Sequence, residues 1–335
     1  MTKKLLVTGG TGFIGSHLAE SARKSGREVR VLGMTDVDAD RKNAEYLESL
    51  GVEICAGSVT DRDLCTAAMQ DVSDVYHLAV AMREGGMSDE GFTNTNLKGT
   101  QYLLDAAVNN SVDRFIYCST IGIFGHRVPG ITTELSDFNP GNIYEQTKLE
   151  AEKLSLSYFE KQNLPVVVLR PADVYGPRDQ RLLKLFGAIR KGRFPLFGNG
   201  QGRRHMVYID DVVSSFERAL EVEEAIGKAF IIAGPEICTL RQLIELVREA
   251  AGASSFGYRL PLRPMLILAG LVEDVCSVIG VSPPIYRRRM DFFHSDSEFD
   301  ISYAEKVLGW TPKVALKEGV EMTMKSYRDD GLFNA

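Results

Sequence analysis

The chain has no surplus of basic residues: 39 Lys and Arg stand against 45 Asp and Glu, a net charge of −6. A nucleic-acid partner would call for the opposite balance, so the charge argues against one. Cysteines are few and odd in number (Cys55, Cys65, Cys118, Cys238, Cys276), with no CxxC pair. That fits reduced thiols in a cytoplasm better than a disulfide framework. The five histidines lie far apart, so nothing local suggests a metal site. Long apolar runs are missing too. The longest, Met265 to Val272, stops at Glu273-Asp274, well short of the roughly 20 residues a membrane-spanning helix needs. Leu5-Leu6-Val7 breaks at once into glycines, unlike a signal peptide. No internal repeat or low-complexity tract appears.

What the sequence does have is 335 residues of ordinary globular composition, 44% hydrophobic and 25% charged. That length suits one large domain plus a smaller lobe. Lys4 to Thr8 reads as a buried parallel strand, and Phe13 to Lys24 as a helix stopped by Gly26. Between them lies Gly9-Gly10-Thr11-Gly12-Phe13-Ile14-Gly15. Gly10, Gly12 and Gly15 meet G-x-G-x-x-G, and Gly9, Gly12 and Gly15 meet G-x-x-G-x-x-G. A side chain at such positions would collide with a dinucleotide pyrophosphate or with the helix packing on the strand. Free N–H groups at the helix start then face the phosphate charge.

Further strands are expected at Glu28 to Leu32, Val52 to Ala56, Asp74 to Leu78, Arg114 to Cys118 and Pro165 to Leu169. Helices are expected at Asn43 to Leu50, Asp89 to Asn110 and Tyr144 to Lys161, with shorter ones at 181–191, 211–222 and 240–251. This alternation predicts an α/β fold, a Rossmann doubly wound parallel sheet with a smaller C-terminal substrate-binding lobe. The division expected is 1–175 for the dinucleotide domain, with sheet contributions from later segments, and 176–335 mainly for the lobe. After the second strand, where an acid reads the ribose of NAD and a base the extra phosphate of NADP, the chain has Gly33-Met34-Thr35-Asp36. Asp36 leans the reading to NAD, with NADP left open.

Tyr144 and Lys148 are four apart on a predicted helix and so share a face. A phenol titrates near 10, and a neighbouring ammonium favours its ionised form. Such a phenol can take the proton of a substrate hydroxyl while hydride leaves the same carbon. Thr120, just past the fifth strand, could hold that oxygen. His77 reads as a packed strand residue.

These motifs together resemble the extended short-chain dehydrogenase/reductase family, in its NAD-dependent epimerase/dehydratase branch. The resemblance runs from Thr8 to Leu308-Gly309-Trp310-Thr311-Pro312. It implies that Gly9, Gly12 and Gly15 cradle the cofactor and that Thr120, Tyr144 and Lys148 are the catalytic trio, Lys148 also reaching the nicotinamide ribose. It extends the cofactor site to Thr11, Phe13, Ile14, Ser58, Val59, Leu78, Ala79, Val80, Asn96, Pro171 and Val174. It implies a homodimer through a four-helix bundle built from 89–110 and 144–161. The chain departs from the pattern at Ser58, where an acid is frequent, at Phe124, where Tyr is usual, and at Asp173, where many nucleotide-sugar enzymes have Asn near the substrate phosphate.

Sugar 4,6-dehydratases carry an Asp-Glu pair directly after the Thr. Here Ile121-Gly122 stand there, leaving oxidation and reduction at one carbon. The reading is an NAD(P)-dependent epimerase or oxidoreductase acting on a nucleotide-sugar hydroxyl through a transient ketone. Thr120, Asp173, Arg204 and Arg289 are the expected substrate residues. Arg204, in Gly202-Arg203-Arg204-His205, and Arg289, in the run from Arg287 to Asp291, resemble a pair of arginines clamping the substrate diphosphate. A 3β-hydroxysteroid-type or other lipid or ketone dehydrogenase is the second reading, motivated by the apolar stretch from Leu260 to Pro284 that could line a pocket or touch a membrane. A non-catalytic dinucleotide sensor is the third, and it would lack the Tyr or Lys that this chain keeps.

Overall fold

The computed structural model describes residues 4–82, 87–125, 130–253, 258–279, 281, 293 and 296–333. In chain order the first half contains β1 (Lys4–Thr8), α1 (Phe13–Lys24), β2 (Glu28–Gly33), α2 (Asp38–Ser49), β3 (Glu53–Ala56), α3 (Arg62–Ala68) and β4 (Val72–His77). Next come α4 (Asp89–Thr93), a π turn (Asn94–Lys98), α5 (Gly99–Asn109), β5 (Arg114–Cys118), α6 (Ile143–Gln162) and β6 (Val166–Pro171). The remainder holds β7 (Asp173–Tyr175), α7 (Gln180–Arg190), β8 (Leu196–Phe197), β9 (Arg203–Tyr208), α8 (Ile209–Glu221), β10 (Ala229–Ile232), β11 (Ile237–Thr239) and α9 (Leu240–Ala251). It closes with β12 (Arg259–Leu260), α10 (Leu262–Ile279), α11 (Ser302–Leu308) and α12 (Leu316–Asp329).

Seven strands form one sheet in the order β10-β6-β5-β4-β1-β2-β3, every neighbouring pair parallel. The chain runs outward from β1 to β3 and then returns to place β4 on the other side of β1. That reversal opens a crevice at the carboxyl ends of β1 and β4, where doubly wound sheets bind ligands. Along the strands, alternate residues feed two cores. Leu5, Val7 and Val31 face one, and Leu6, Leu32 and Val75 face the other. β10 sits beside β6, so a late segment completes the sheet. β11, β9 and β7 make a second sheet of three strands, and β12 pairs with β8.

Several elements differ from expectation. α2 starts at Asp38 rather than Asn43, because Asp38 and Asp40 lie in its first turn and favour the positive helix end. α3 was not anticipated, although Asp61 caps it by accepting from Leu64 N at 3.0 Å. The region from Asp89 to Asn109 is helical as expected, but the π turn interrupts its period. Within Leu260 to Pro284, α10 leaves Ile267, Leu268, Leu271 and Val275 exposed. Among the described residues no helix is long and apolar enough to cross a membrane.

α6 is fastened to β6 by a buried ion pair. Arg170 donates to both carboxylate oxygens of Glu152, at 2.6 and 3.2 Å. Its guanidinium also lies 5.3 Å from the ring centres of Phe124 and Phe138. Removing one member of such a pair leaves a buried charge without compensation. Glu152→Ala is expected to lower the unfolding free energy by about 3–5 kcal/mol, read from the midpoint of a denaturant titration.

Candidate active site

The glycine loop is built by close approach. Gly9 has φ +67, and a Cβ on it would lie 2.8 Å from Ala79 N. A Cβ on Gly15 would lie 2.2 Å from Gly9 O, so the first turn of α1 can sit on the loop only with glycine there. A Cβ on Gly12 would meet only Gly9 O, at 3.3 Å, which leaves this glycine facing open space. Gly12 is also the N-cap of α1 and makes no side-chain cap, and the first turn carries no acid. The helix start is therefore free to take an anion. A cradle closed to side chains and a bare helix N-terminus fit a dinucleotide pyrophosphate.

The residues expected around this loop divide by geometry. Leu78 and Ala79 lie against it: Leu78 N donates to Thr8 O and Ala79 N to Thr8 Oγ1. Val80 follows them, partly open. Thr11 turns its hydroxyl away, donating to Met34 O at 2.8 Å and filling the space beside Gly33. Phe13 and Ile14 pack partly buried against the core. Asp36 lies exposed beyond the end of β2. Ser58 accepts from Thr60, and Val59 is buried against Gly99. Pro171 ends β6, and Val174 is buried in β7.

The Asn96 side chain is buried, accepts from Ala81 N at 2.7 Å, and donates to Ala81 O and Thr147 Oγ1. The amide thereby ties the loop after β4 to α6. His77 is packed, as expected: its ring nitrogens bond Thr8 Oγ1 and Thr100 Oγ1, and burial pushes it down to about 3, so it stays neutral.

At the end of β5 the catalytic candidates come together. Thr120 Oγ1 caps the following turn by accepting from Gly122 N at 3.1 Å, and its hydroxyl favours the ionised form of the nearby Tyr144 phenol. Lys148 is buried, donates to Cys118 O at 2.6 Å and lies 4.1 Å over the Tyr117 ring. Burial lowers its ammonium to about 8, against the opposing pull of Cys118 and Glu152. Burial and Cys118 push the Tyr144 phenol up to about 12, while the Thr120 hydroxyl and the charge of Arg181 pull it down. Ser119 Oγ, at the same strand end, is buried with no hydrogen-bond partner among the described residues.

Arg181 was missed by the sequence reading. Its guanidinium donates to Asp179 at 3.1 and 3.2 Å and to Val174 O at 2.9 Å, and it lies 5.9 Å from the Phe13 ring centre. Half of its side chain remains open. It thus bridges the glycine loop and β7 within range of Tyr144. The signal available was the Asp179-x-Arg181 spacing at a helix start, which does not reveal the approach to Tyr144. Asp173 and Arg204, expected as substrate residues, face each other as an ion pair at 3.7 Å. Arg204 is nearly buried, and burial lowers its guanidinium despite Asp173 and Cys238. Arg289 lies outside the described residues.

A doubly wound sheet, a glycine cradle and a buried tyrosine–lysine pair at one strand end define a dinucleotide-dependent enzyme of the short-chain dehydrogenase/reductase kind. The model of the NAD dependent epimerase/dehydratase family matches residues 5–233. The chain belongs to that family. A low-salt glycan biosynthesis protein of Haloferax volcanii is 30% identical over 342 residues, covering 97% of this chain and 99% of its own. A dTDP-D-glucose 4,6-dehydratase of Dictyostelium discoideum is 30% identical over 360 residues, covering 98% and 82%. Among solved structures, the UDP-glucuronic acid 4-epimerase of Bacillus cereus in complex with NAD superposes with a TM-score of 0.80 at 27% identity, over 97% of this chain and 99% of that one. The UDP-glucose 4-epimerase of Thermotoga maritima with UDP-glucose gives 0.79 at 26% identity, over 98% and 99%.

The depressed Lys148 ammonium has a consequence for stability. Below about 8 both folded and unfolded chains hold this proton. Between there and the unfolded value near 10.4, the unfolded chain alone keeps it, so rising pH favours the fold. The wild type is expected to gain on the order of 1 kcal/mol per pH unit over Lys148→Met across that window, measured by denaturant titration at stepped pH.

Proposed function

We propose that this enzyme oxidises and reduces one hydroxyl-bearing carbon of a nucleotide sugar, as an epimerase working through a transient ketone or as a net oxidoreductase. The observation that carries the reading is the helix bearing Tyr144 and Lys148 held against the end of β5 by the bond from Lys148 to Cys118 O, beside a glycine cradle closed to side chains. The relatives that act on UDP- or dTDP-sugars along nearly the whole chain support the substrate class.

In this reading Gly9, Gly12 and Gly15 admit the pyrophosphate, and the bare start of α1 meets its charge. When bound, NAD supplies the hydride acceptor and a positive ring near the phenol. Thr120 orients the substrate oxygen. Tyr144 Oη takes the hydroxyl proton as the ketone forms and returns it when the carbon is reduced again. A phenol held near 12 by the protein alone needs an added positive charge to do this at neutral pH. The pull of Arg181 is already included in that value, so the added charge would be that of the oxidised ring. Lys148 holds the Cys118 carbonyl and, from there, is placed to reach the nicotinamide ribose. Ile121 and Gly122 offer no acid or base, which supports reaction without loss of water. Arg204 is the phosphate-binding candidate, with Arg289 proposed beside it. Residues 1–175 with β10 would carry the cofactor, and 176–335 the substrate lobe.

Two further parts belong to the same proposal. The setting is cytoplasmic, supported by the five cysteines, all free. The assembly is a homodimer through α4–α5 and α6, supported by the half-buried Tyr102, Leu154, Leu156 and Tyr158 along those helices. Sedimentation should then give about twice the 37.0 kDa chain mass; a species of single-chain mass at micromolar concentration would refute the dimer.

Tyr144→Phe should lower turnover by roughly 10²–10⁴-fold and leave NAD affinity nearly intact. The assay is interconversion of UDP-sugar C4 epimers, followed by chromatography, with reduced cofactor followed by absorbance. Epimers without net reduced cofactor indicate an epimerase, and accumulating reduced cofactor a dehydrogenase. No turnover on any nucleotide sugar, together with turnover of a hydroxysteroid, would replace this reading with the second one.

A further inference from the structure

Asp173 faces Arg204 across two paired strands. β7 and β9 run parallel, with Asp173 opposite Met206, so Arg204, two residues earlier, lies on the same face as Met206. The two charges are 3.7 Å apart, beyond hydrogen-bonding distance. Their surroundings are unequal. The Arg204 side chain is 9% exposed and that of Asp173 is 56% exposed. A nearly buried guanidinium is costly without an opposite charge, whereas an ion pair this loose and half in solvent holds weakly. The field of a second guanidinium, Arg181, also reaches Asp173. Asp173 is therefore a partner that can leave at little cost while Arg204 cannot.

We propose that Asp173 is an exchangeable counter-ion, which compensates Arg204 until a diphosphate of the substrate takes its place. The inference rests on the nucleotide-sugar reading and adds to it a reason for the aspartate. Phosphate oxygens offer Arg204 two acceptors in the plane of its fork. The aspartate offers a single distant contact, so the ligand wins the guanidinium, but it must do so against a like charge. Asp173 thereby acts as a positioning residue that weakens the site for diphosphates and speeds their release. An asparagine there would have the same shape and no charge.

The test is calorimetric titration of the NAD-saturated enzyme with two probes, UDP and inorganic pyrophosphate. Asp173→Asn should lower the Kd for both by roughly fivefold or more, with the NAD affinity unchanged as a check on folding. In an Arg204→Gln background the same substitution should give a clearly smaller gain, because only the repulsion between Asp173 and the diphosphate is then left to relieve. A structural role for Asp173 would not produce that coupling. Unchanged or weaker binding in Asp173→Asn, or an equal gain in both backgrounds, overturns the proposal. If pyrophosphate shows the coupled gain and UDP binds to none of the variants, the counter-ion stands and the uridine nucleotide reading falls.

Discussion

The position of the reactive phenol depends on a buried ion pair that lies far from it. Arg170 holds both carboxylate oxygens of Glu152, and Glu152 sits on α6 two turns after Tyr144. Through this bond α6 is fixed to β6 and cannot slide along the sheet. Lys148, between them on the same helix, is tied in turn to the carbonyl of Cys118 at the end of β5. Two attachments to two neighbouring strands determine where Tyr144 stands relative to Thr120. Neither attachment uses the tyrosine itself, so its hydroxyl remains available for chemistry.

That placement carries an electrostatic cost that the site exploits. Burying the phenol favours its neutral form, and Cys118 and Glu145 act in the same direction. The opposing influences are a hydroxyl, Thr120, and a guanidinium, Arg181, brought in from the first turn of α7. The resting protein thus keeps the proton on Tyr144. In the proposed reaction the positive nicotinamide tips this balance, which ties proton transfer to the presence of oxidised cofactor. Lys148, one turn along the same helix, donates to the Cys118 carbonyl, and burial lowers its ammonium.

Local chemistry made much of this legible from the amino acids. β1, the glycine loop and α1 fall where the apolar run and the glycine spacing put them, and α9 ends at its expected limits because Thr239 and Gln242 form a capping box and Gly252 adopts φ +66. What escaped depends on partners distant in the chain. β7, β8, β11 and β12 are two or three residues long and exist through pairing rather than through pattern. Arg181 looked like an ordinary first-turn residue, since nothing nearby in sequence reports its approach to Tyr144. The bonds of the Asn96 amide to Ala81 and Thr147 were equally hidden, since its place inside a helix does not show the turn geometry that makes them.

The π turn at Asn94–Lys98 gives that stretch of helix a length the crevice has to respect. A π turn holds one residue more than the α-helical turn it replaces. Rewinding it by deleting a residue would rotate everything before it by about 100° relative to α5, and Asn96 would swing off Ala81. The rim that follows β4 would lose its peg, and Leu78 to Val80, the wall opposite the glycines, would drift. In this chain, an insertion of a single amino acid into a helix works as a set-screw for the width of a nucleotide slot.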